Sequence, residues 1–342
     1  MTIIKKSFTE IGSDVWDTHT RAMGYYSHLH LSHSLDYYLG FSNVENVSFV
    51  VLENNKCVAV VPLAISGDLL IFGDLPCPSP LVSTILKESK RRKIYNSIFR
   101  EIDKIMLDCE ITSYVFSRHS FQSNKEHGCL CSENLFELLK YSHDTKLSNT
   151  LVMDLRKNET TIEMGFSKYH RRNINKSKKL GISHIVLSKN SDINDIDTHF
   201  KKYKEAHFIA ANGSTRPDLT WSIMKRHIIK GFGELLVAQI NDINISYLFC
   251  GNVDGFSWGW SQVNIKEFEK EYMPRHYLEW MAMLYYKSKN TLYYDIGDRF
   301  YPLKSYKISR KELSIADFKE KYGASVYPKI TFTRHLKEIE NN

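Results

Sequence analysis

One order of elements occurs twice in this chain of 342 residues. From Val47 the sequence reads VSFVVL, a polar turn ENNK, CVAVVPLAIS, a turn at Gly67-Asp68, and LLIFG. Short β-rich runs joined by tight turns make an antiparallel meander. A helix follows, with Ile94, Ile98, Ile102 and Ile105 at helical spacing, and SYVFS then reads as another strand. From Glu234 the order returns: ELLVAQI, turn ND, INISYLFCG, turn NVDG, FSWGWSQV, a helix beginning near Pro274 in PRHYLEWMAMLYYKSK, and the strand TLYYDIG. The two copies share a pattern rather than letters. Helical segments over residues 9–41 and 160–180 precede each meander, so the chain is expected to hold two α+β units, residues 1–150 and 151–342. A chain of this size is also long for one hydrophobic core.

Charge separates the halves. Residues 1–150 hold 15 Lys and Arg against 17 Asp and Glu, and the remainder 31 against 22, so the net charge of +7 comes from the second half. It concentrates in SKYHRRNINKSKKLGI, Ser167 to Ile182, where Lys168, Arg171, Arg172, Lys176, Lys178 and Lys179 occur without one acidic residue. A solvated helix face usually mixes signs, so this run points to a phosphate-bearing partner. At 100° per residue, Tyr169, Arg172, Asn173, Lys176 and Leu180 fall on one side. That places Arg172 and Lys176 beside a cleft and turns Lys168, Arg171, Lys178 and Lys179 outward. KESKRRK, from Lys87, contains a Glu and opens the Ile-striped helix, so it reads as solvated surface.

No run approaches the roughly 18 apolar residues of a membrane span, and MTIIKKSFTEIGSD lacks the apolar core of a signal peptide, so a cytoplasmic protein is expected. In that compartment Cys57, Cys77, Cys109, Cys129, Cys131 and Cys250 read as free thiols. His127, Cys129 and Cys131 in HGCLC, and His28, His30 and His33 in HLHLSH, have spacings a metal could use, but a full ligand set is not evident and no metal is assigned. Trp258 and Trp260 alternate along one strand and share a face, where they serve either as core or as a stacking platform for a sugar or base.

The doubled pattern resembles two GNAT-like (acyl-CoA N-acyltransferase) domains in tandem, each a mostly antiparallel sheet flanked by helices. Three stretches make the chain similar to the FemAB/FemX family of aminoacyl transferases. YHRRNINKSKKLGI resembles that family's basic R-R-N-I-x-K-A-x-x-x-G segment, with Ser177 in place of Ala. YYDIGD resembles its Y-D-[LF]-G strand, and ADFKEKYGASVYP its F-K-x-x-F-G segment, with Tyr322 in place of the second Phe. The resemblance implies amide formation on an amino group of a cell-envelope precursor, a peptide or an amino sugar, with aminoacyl-tRNA as the leading donor and no cofactor. It implies that Lys319, with Phe318, holds the acyl carbonyl, and that Arg172 and Lys176 meet the phosphates of a nucleotide-linked acceptor or of tRNA. HSLDYYLGF carries no Lys where FemX-type members hold their acceptor's diphosphate, which leaves the acceptor open.

Chemistry adds two residues. Asp295 ends an apolar strand, where a partly desolvated carboxylate can take a proton from an ammonium. Arg299, four residues on, is placed to pair with it or to contact substrate. The donor stays divided: SQVNIKEFEKEYMPRHY has no glycine loop of the kind that binds the CoA pyrophosphate, which favours aminoacyl-tRNA. An acyl-CoA-dependent N-acyltransferase of nucleotide-linked amino sugars in polysaccharide synthesis is the enzyme alternative. A non-catalytic RNA-binding protein is the other.

Overall fold

The computed structural model describes residues 3–41, 43–73, 75–119, 121–122, 129–130, 135–301 and 308–336. It divides into two compact units, Met1–Ser148 with Pro328–Asn342, and Asn149–Tyr327. The end of the chain therefore differs from the 151–342 span expected: the strand Ser325–His335 enters the first unit, where Lys329–His335 pair antiparallel with Ser113–His119.

In the first unit, Phe49–Glu53 and Lys56–Val61 pair across Asn54 and Asn55. Both asparagines have positive φ, 48° and 60°. That is the two-residue turn whose twist suits a hairpin, and Asn tolerates it. CVAVVPLAIS does not continue as one strand. Lys56–Val61 pairs with Phe49–Glu53, whereas Ala64–Ser66 pairs with Val44–Asn46 and Leu69–Leu70. The switch falls at Pro62, which has no N–H to donate to a ladder. The helix Glu88–Asp108 buries Ile94, Ile98 and Ile102, with Met106 completing the stripe and Ile105 half-buried. The segment over residues 9–41 is broken into Phe8–Ile11, Ser13–Ala22 and Ser32–Leu39.

The second unit is a sheet in the spatial order Ser183–Leu187, Gly233–Ile240, Ile243–Val253, Phe256–Asn264, Tyr293–Arg299 and Asp144–Asp154. Every neighbouring pair is antiparallel except Phe256–Asn264 with Tyr293–Arg299. Turns at Asn241-Asp242 and Asp254-Gly255, all with positive φ, join the meander. Alternation along the strands serves two faces. Leu236, Ala238, Leu248, Cys250, Tyr294 and Ile296 meet the Pro274–Ser288 helix and Ile174 of the basic helix in one core. Tyr247 and Phe249 turn the other way, against Tyr203 and Trp260. The helices Ile193–Ala211 and Asp218–Lys230 cover that second face.

The basic helix runs Lys168–Lys179, N-capped by Ser167, whose side chain accepts from the His170 N–H. Its buried stripe is His170, Asn173, Ile174 and Ser177. Tyr169 is 53% and Leu180 38% exposed, and both Arg172 and Lys176 are exposed. Of the side expected to face a cleft, only Asn173 is buried: Ile174 and the small Ser177 pack beside it, and Ser177 Oγ donates to the Tyr272 carbonyl at 2.7 Å.

Gly323 follows the helix Arg310–Glu320 at φ +68°, and a Cβ there would lie 2.2 Å from the Gly165 carbonyl oxygen. Backbone atoms cannot step aside as a side-chain tip can. Gly323→Ala should destabilise the second unit by about 1–3 kcal/mol. Urea unfolding followed by tryptophan fluorescence checks this, since Trp221, Trp258, Trp260 and Trp280 all belong to that unit.

Candidate active site

The parallel pair in the second unit opens part-way along. Phe256, Ser257 and Trp258 pair with Tyr293, Tyr294 and Asp295, and there the pairing ends, although the strands continue to Asn264 and Arg299. The second strand bends at this point. Its pairing with Asn149–Asp154 shifts register between Leu151 and Val152, so that Leu151 faces Gly297 and Val152 faces Asp295. Asp295 fixes the bulge. Its Oδ1 accepts from the Gly297 N–H at 2.7 Å and from Thr150 Oγ1 at 2.6 Å. Gly297 is at φ +107°, a conformation few side-chain-bearing residues adopt.

Lys319 fills the space above that glycine. A Cβ on Gly297 would lie 2.3 Å from Lys319 Nζ. Burial pushes the lysine pKa down, and the charges of Asp298, Asp295 and Glu279 act against that shift. The opposite strand also has a glycine just past the last pair. A Cβ on Gly259 would lie 2.9 Å from the Tyr294 hydroxyl and 3.6 Å from Glu279 Oε1. The Tyr294 hydroxyl donates to that Oε1 at 2.9 Å. Glu279 is 6% exposed, and burial raises its pKa, while the Tyr294 hydrogen bond and the charges of Arg275 and Lys319 lower it.

Phe318 packs behind Lys319, with ring centroids 4.7 Å from His170 and 4.9 Å from His276. The Arg275 guanidinium lies 3.9 Å from its ring centre. Phe318 also lines an open cavity of about 480 Å3, with Tyr169, Arg310, Asp317 and Lys321 among its walls. Tyr322, in the motif position of a Phe, is fully buried with its ring edge-on to Phe166 and His170.

The other expected residues divide. Arg299 forms ion pairs with Asp317 at 3.0 Å and Glu320 at 2.6 Å, so it ties the strand to the Lys319 helix rather than pairing with Asp295. Trp258 is 7% exposed and lies over Gly251, where a Cβ would meet its ring at 2.0 Å. Trp260 is half-buried, 5.8 Å from Trp258 and 5.8 Å from His227. Arg172 and Lys176 stand on the exposed face of their helix. His30 is buried and its Nε2 lies 3.0 Å from the Ser79 carbonyl oxygen. Among the described residues no group of three or more His, Cys, Asp or Glu side chains is placed to hold a metal. HGCLC lies outside the residues whose side chains are described. Glu279 and Tyr294 were not anticipated, although Glu279 is the one acidic residue in PRHYLEWMAMLYY and is followed by seven apolar or aromatic residues.

No family model matches this sequence, and no curated protein matches it as a relative. Solved structures do. A crystal structure of FemX is similar over 100% of this chain and 99% of its own, at 12% identity and TM-score 0.67. The structure of L-PGS from Bacillus licheniformis is similar over 95% and 92%, at 11% identity and TM-score 0.62. This chain has the tandem GNAT-like fold. A tandem GNAT protein from the clavulanic acid biosynthesis pathway matches 98% of each chain, at 10% identity and TM-score 0.57.

Burial pushes two site histidines down from the usual 6.5, His170 to about 4 and His276 to about 3. The unfolded chain binds protons at both before the folded one does. Stability should therefore fall as the pH drops below about 6.5 and continue to fall toward 4. The urea midpoint measured across that range checks it, and His170→Leu should flatten the slope.

Proposed function

We propose that the second unit transfers an acyl or aminoacyl group from an ester or thioester donor to an amine, forming an amide. The observation that carries this reading is the open end of the parallel pair with the Lys319 ammonium set over Gly297. Attack of nitrogen on the donor carbonyl creates an oxyanion, and a fixed cation in a partly water-excluded site lowers the barrier to it. Lys319 is that cation. Asp295 holds the Gly297 bulge and, with Asp298, keeps the lysine charged despite its burial. Phe318 fixes the helix end on which Lys319 sits. Arg299 clamps the same helix through Asp317 and Glu320.

The donor reading is aminoacyl-tRNA. A pyrophosphate held at the start of the Pro274–Ser288 helix would need the N–H groups of its first turn, and Pro274 at that start has none to give. The exposed cations Arg172 and Lys176 suit a phosphate-bearing partner, either a nucleotide-linked envelope precursor or tRNA. Trp260 offers a half-exposed ring for a sugar or base. No helix among the described residues is long and apolar enough to cross a membrane, and the reaction is assigned to the cytoplasm.

Mass spectrometry of reactions containing the protein, peptide and amino-sugar precursors, and either charged tRNA or acyl-CoA tests the reading directly. An added aminoacyl mass dependent on charged tRNA supports it. Transfer from CoA alone selects the N-acyltransferase alternative, and no transfer with RNA binding retained selects the non-catalytic one.

Two substitutions refine it. Lys319→Met should lower kcat by roughly tenfold or more and leave KM nearly unchanged, because the cation acts on charge present only in the transition state. Arg172→Ala with Lys176→Ala should weaken binding of tRNA or of the nucleotide-linked acceptor and flatten its salt dependence, as fewer counterions are released. Equal affinity and slope would remove these two residues from the site.

A further inference from the structure

Amide formation from an ammonium cannot start until the nitrogen loses a proton, and the group that accepts it must stand within reach of the reacting carbon. Asp295 is poorly placed for this. Its Oδ1 already accepts from Thr150 and from the Gly297 N–H, and those bonds hold the backbone on which the site rests. Glu279 accepts from a side-chain hydroxyl rather than from the backbone of the bulge. It projects from the Pro274–Ser288 helix toward Gly259, the first residue past the last strand pair, 3.6 Å from where a Gly259 Cβ would be, and its hydrogen-bonded neighbour is the Tyr294 hydroxyl.

A buried carboxylate is normally held by a direct ion pair. The groups around Glu279 are otherwise arranged. Arg275, one turn earlier on the same helix, lies over the Phe318 ring. Lys319 from the Arg310–Glu320 helix acts on it through charge, and the Tyr322 hydroxyl lies within its electrostatic reach. From the strand Ile243–Val253, Cys250 Sγ stands 3.7 Å from the Tyr294 hydroxyl. Such a carboxylate is desolvated, bonded to one neutral hydroxyl, and set beside the cation that would face the oxyanion.

We propose that Glu279 is the proton acceptor of this site, with Tyr294 as the relay. The inference rests on the transfer reaction proposed above. The ammonium gives a proton to the Tyr294 oxygen as the Tyr294 hydroxyl proton passes to Glu279 Oε1. The tyrosine ends as it began, the nitrogen becomes neutral, and Glu279 becomes a carboxylic acid. The neutral amine then attacks the acyl carbon, the C–N bond forms, the C–O or C–S bond breaks, and one of the two protons left on that nitrogen goes to the departing oxygen or sulfur, which leaves as the alcohol or thiol. Glu279 returns its proton to water once the products depart. Lys319, next to the carbonyl rather than the amine, takes no part in proton transfer.

The test is the pH dependence of kcat/KM, with charged tRNA or acetyl-CoA as donor and a precursor peptide or a UDP-linked amino sugar as acceptor. Glu279→Gln should cost about 100-fold at neutral pH. The loss should shrink as the pH rises toward the amine's own pKa, where the nitrogen arrives neutral. Glu279→Asp should recover part of the rate, and Tyr294→Phe, which keeps the ring, should show the same pH-dependent loss. A Gln variant whose profile runs parallel to the wild type at every pH, or coincides with it, overturns the assignment. If the Gln variant does not fold, Tyr294→Phe decides by the same criterion. Absence of transfer in the wild type is a separate result: it removes the transferase reading and this inference together, whereas a normal wild type with an indifferent Glu279 removes this inference alone.

Discussion

The second unit depends on a parallel strand pair that is not allowed to finish. Three residues of Phe256–Asn264 pair with three of Tyr293–Arg299, and then the register bulge at Leu151/Val152 swings the second strand away. An extra residue in one strand of a ladder bends it and re-aims its side chains. Asp295 secures the bend with two short hydrogen bonds, and glycines stand just past the last pair on both strands. Side chains at either position would close the opening. Instead Lys319 comes in from one side, and Tyr294 with Glu279 from the other.

Electrostatics explains why these groups can stay there. A lysine with most of its surface withdrawn from water tends to lose its proton, and here Asp298, Asp295 and Glu279 oppose that tendency. Glu279 is pulled toward the protonated form by its own burial and held back by Tyr294, Arg275 and Lys319. Each charge is therefore conditional on the others.

Much of this was legible in the sequence, and what was not has physical causes. The ENNK, ND and DG turns locate the hairpins because few residues tolerate two successive positive φ angles. The motif residues Asp295, Phe318 and Lys319 do converge in one place. The helices Ile193–Ala211 and Asp218–Lys230 carry a weak sequence signal, because exposed apolar residues such as Phe208 at 58%, Ile209 at 78% and Leu219 at 56% blur the stripe that marks an amphipathic helix. The basic helix was turned wrongly for the reverse reason: its buried stripe is mostly polar, with His170, Asn173 and Ser177 satisfied or enclosed by neighbours that only the fold supplies. Glu279 was passed over because an acid within an apolar helix carries no spacing signal of its own. Its meaning comes from Tyr294, fifteen residues away.

The donor question turns on one helix start. A helix whose first-turn N–H groups are free is a ready anion site, and the strand Phe256–Asn264 leads through the short helix Lys266–Tyr272 into the Pro274–Ser288 helix. This chain enters that helix through Met273 at φ 51° and places Pro274 first. Proline suits the position conformationally but removes a donor. The same turn is drawn inward by Ser177, which takes the Tyr272 carbonyl, and His276 is packed against Asn173. The helix start is thus packed against the basic helix, and the exposed positive charge lies on the side chains of the Lys168–Lys179 helix. Long side chains on a surface suit an extended polyphosphate better than one compact pyrophosphate, so the helix start and the basic helix bear on the donor proposed above in the same direction.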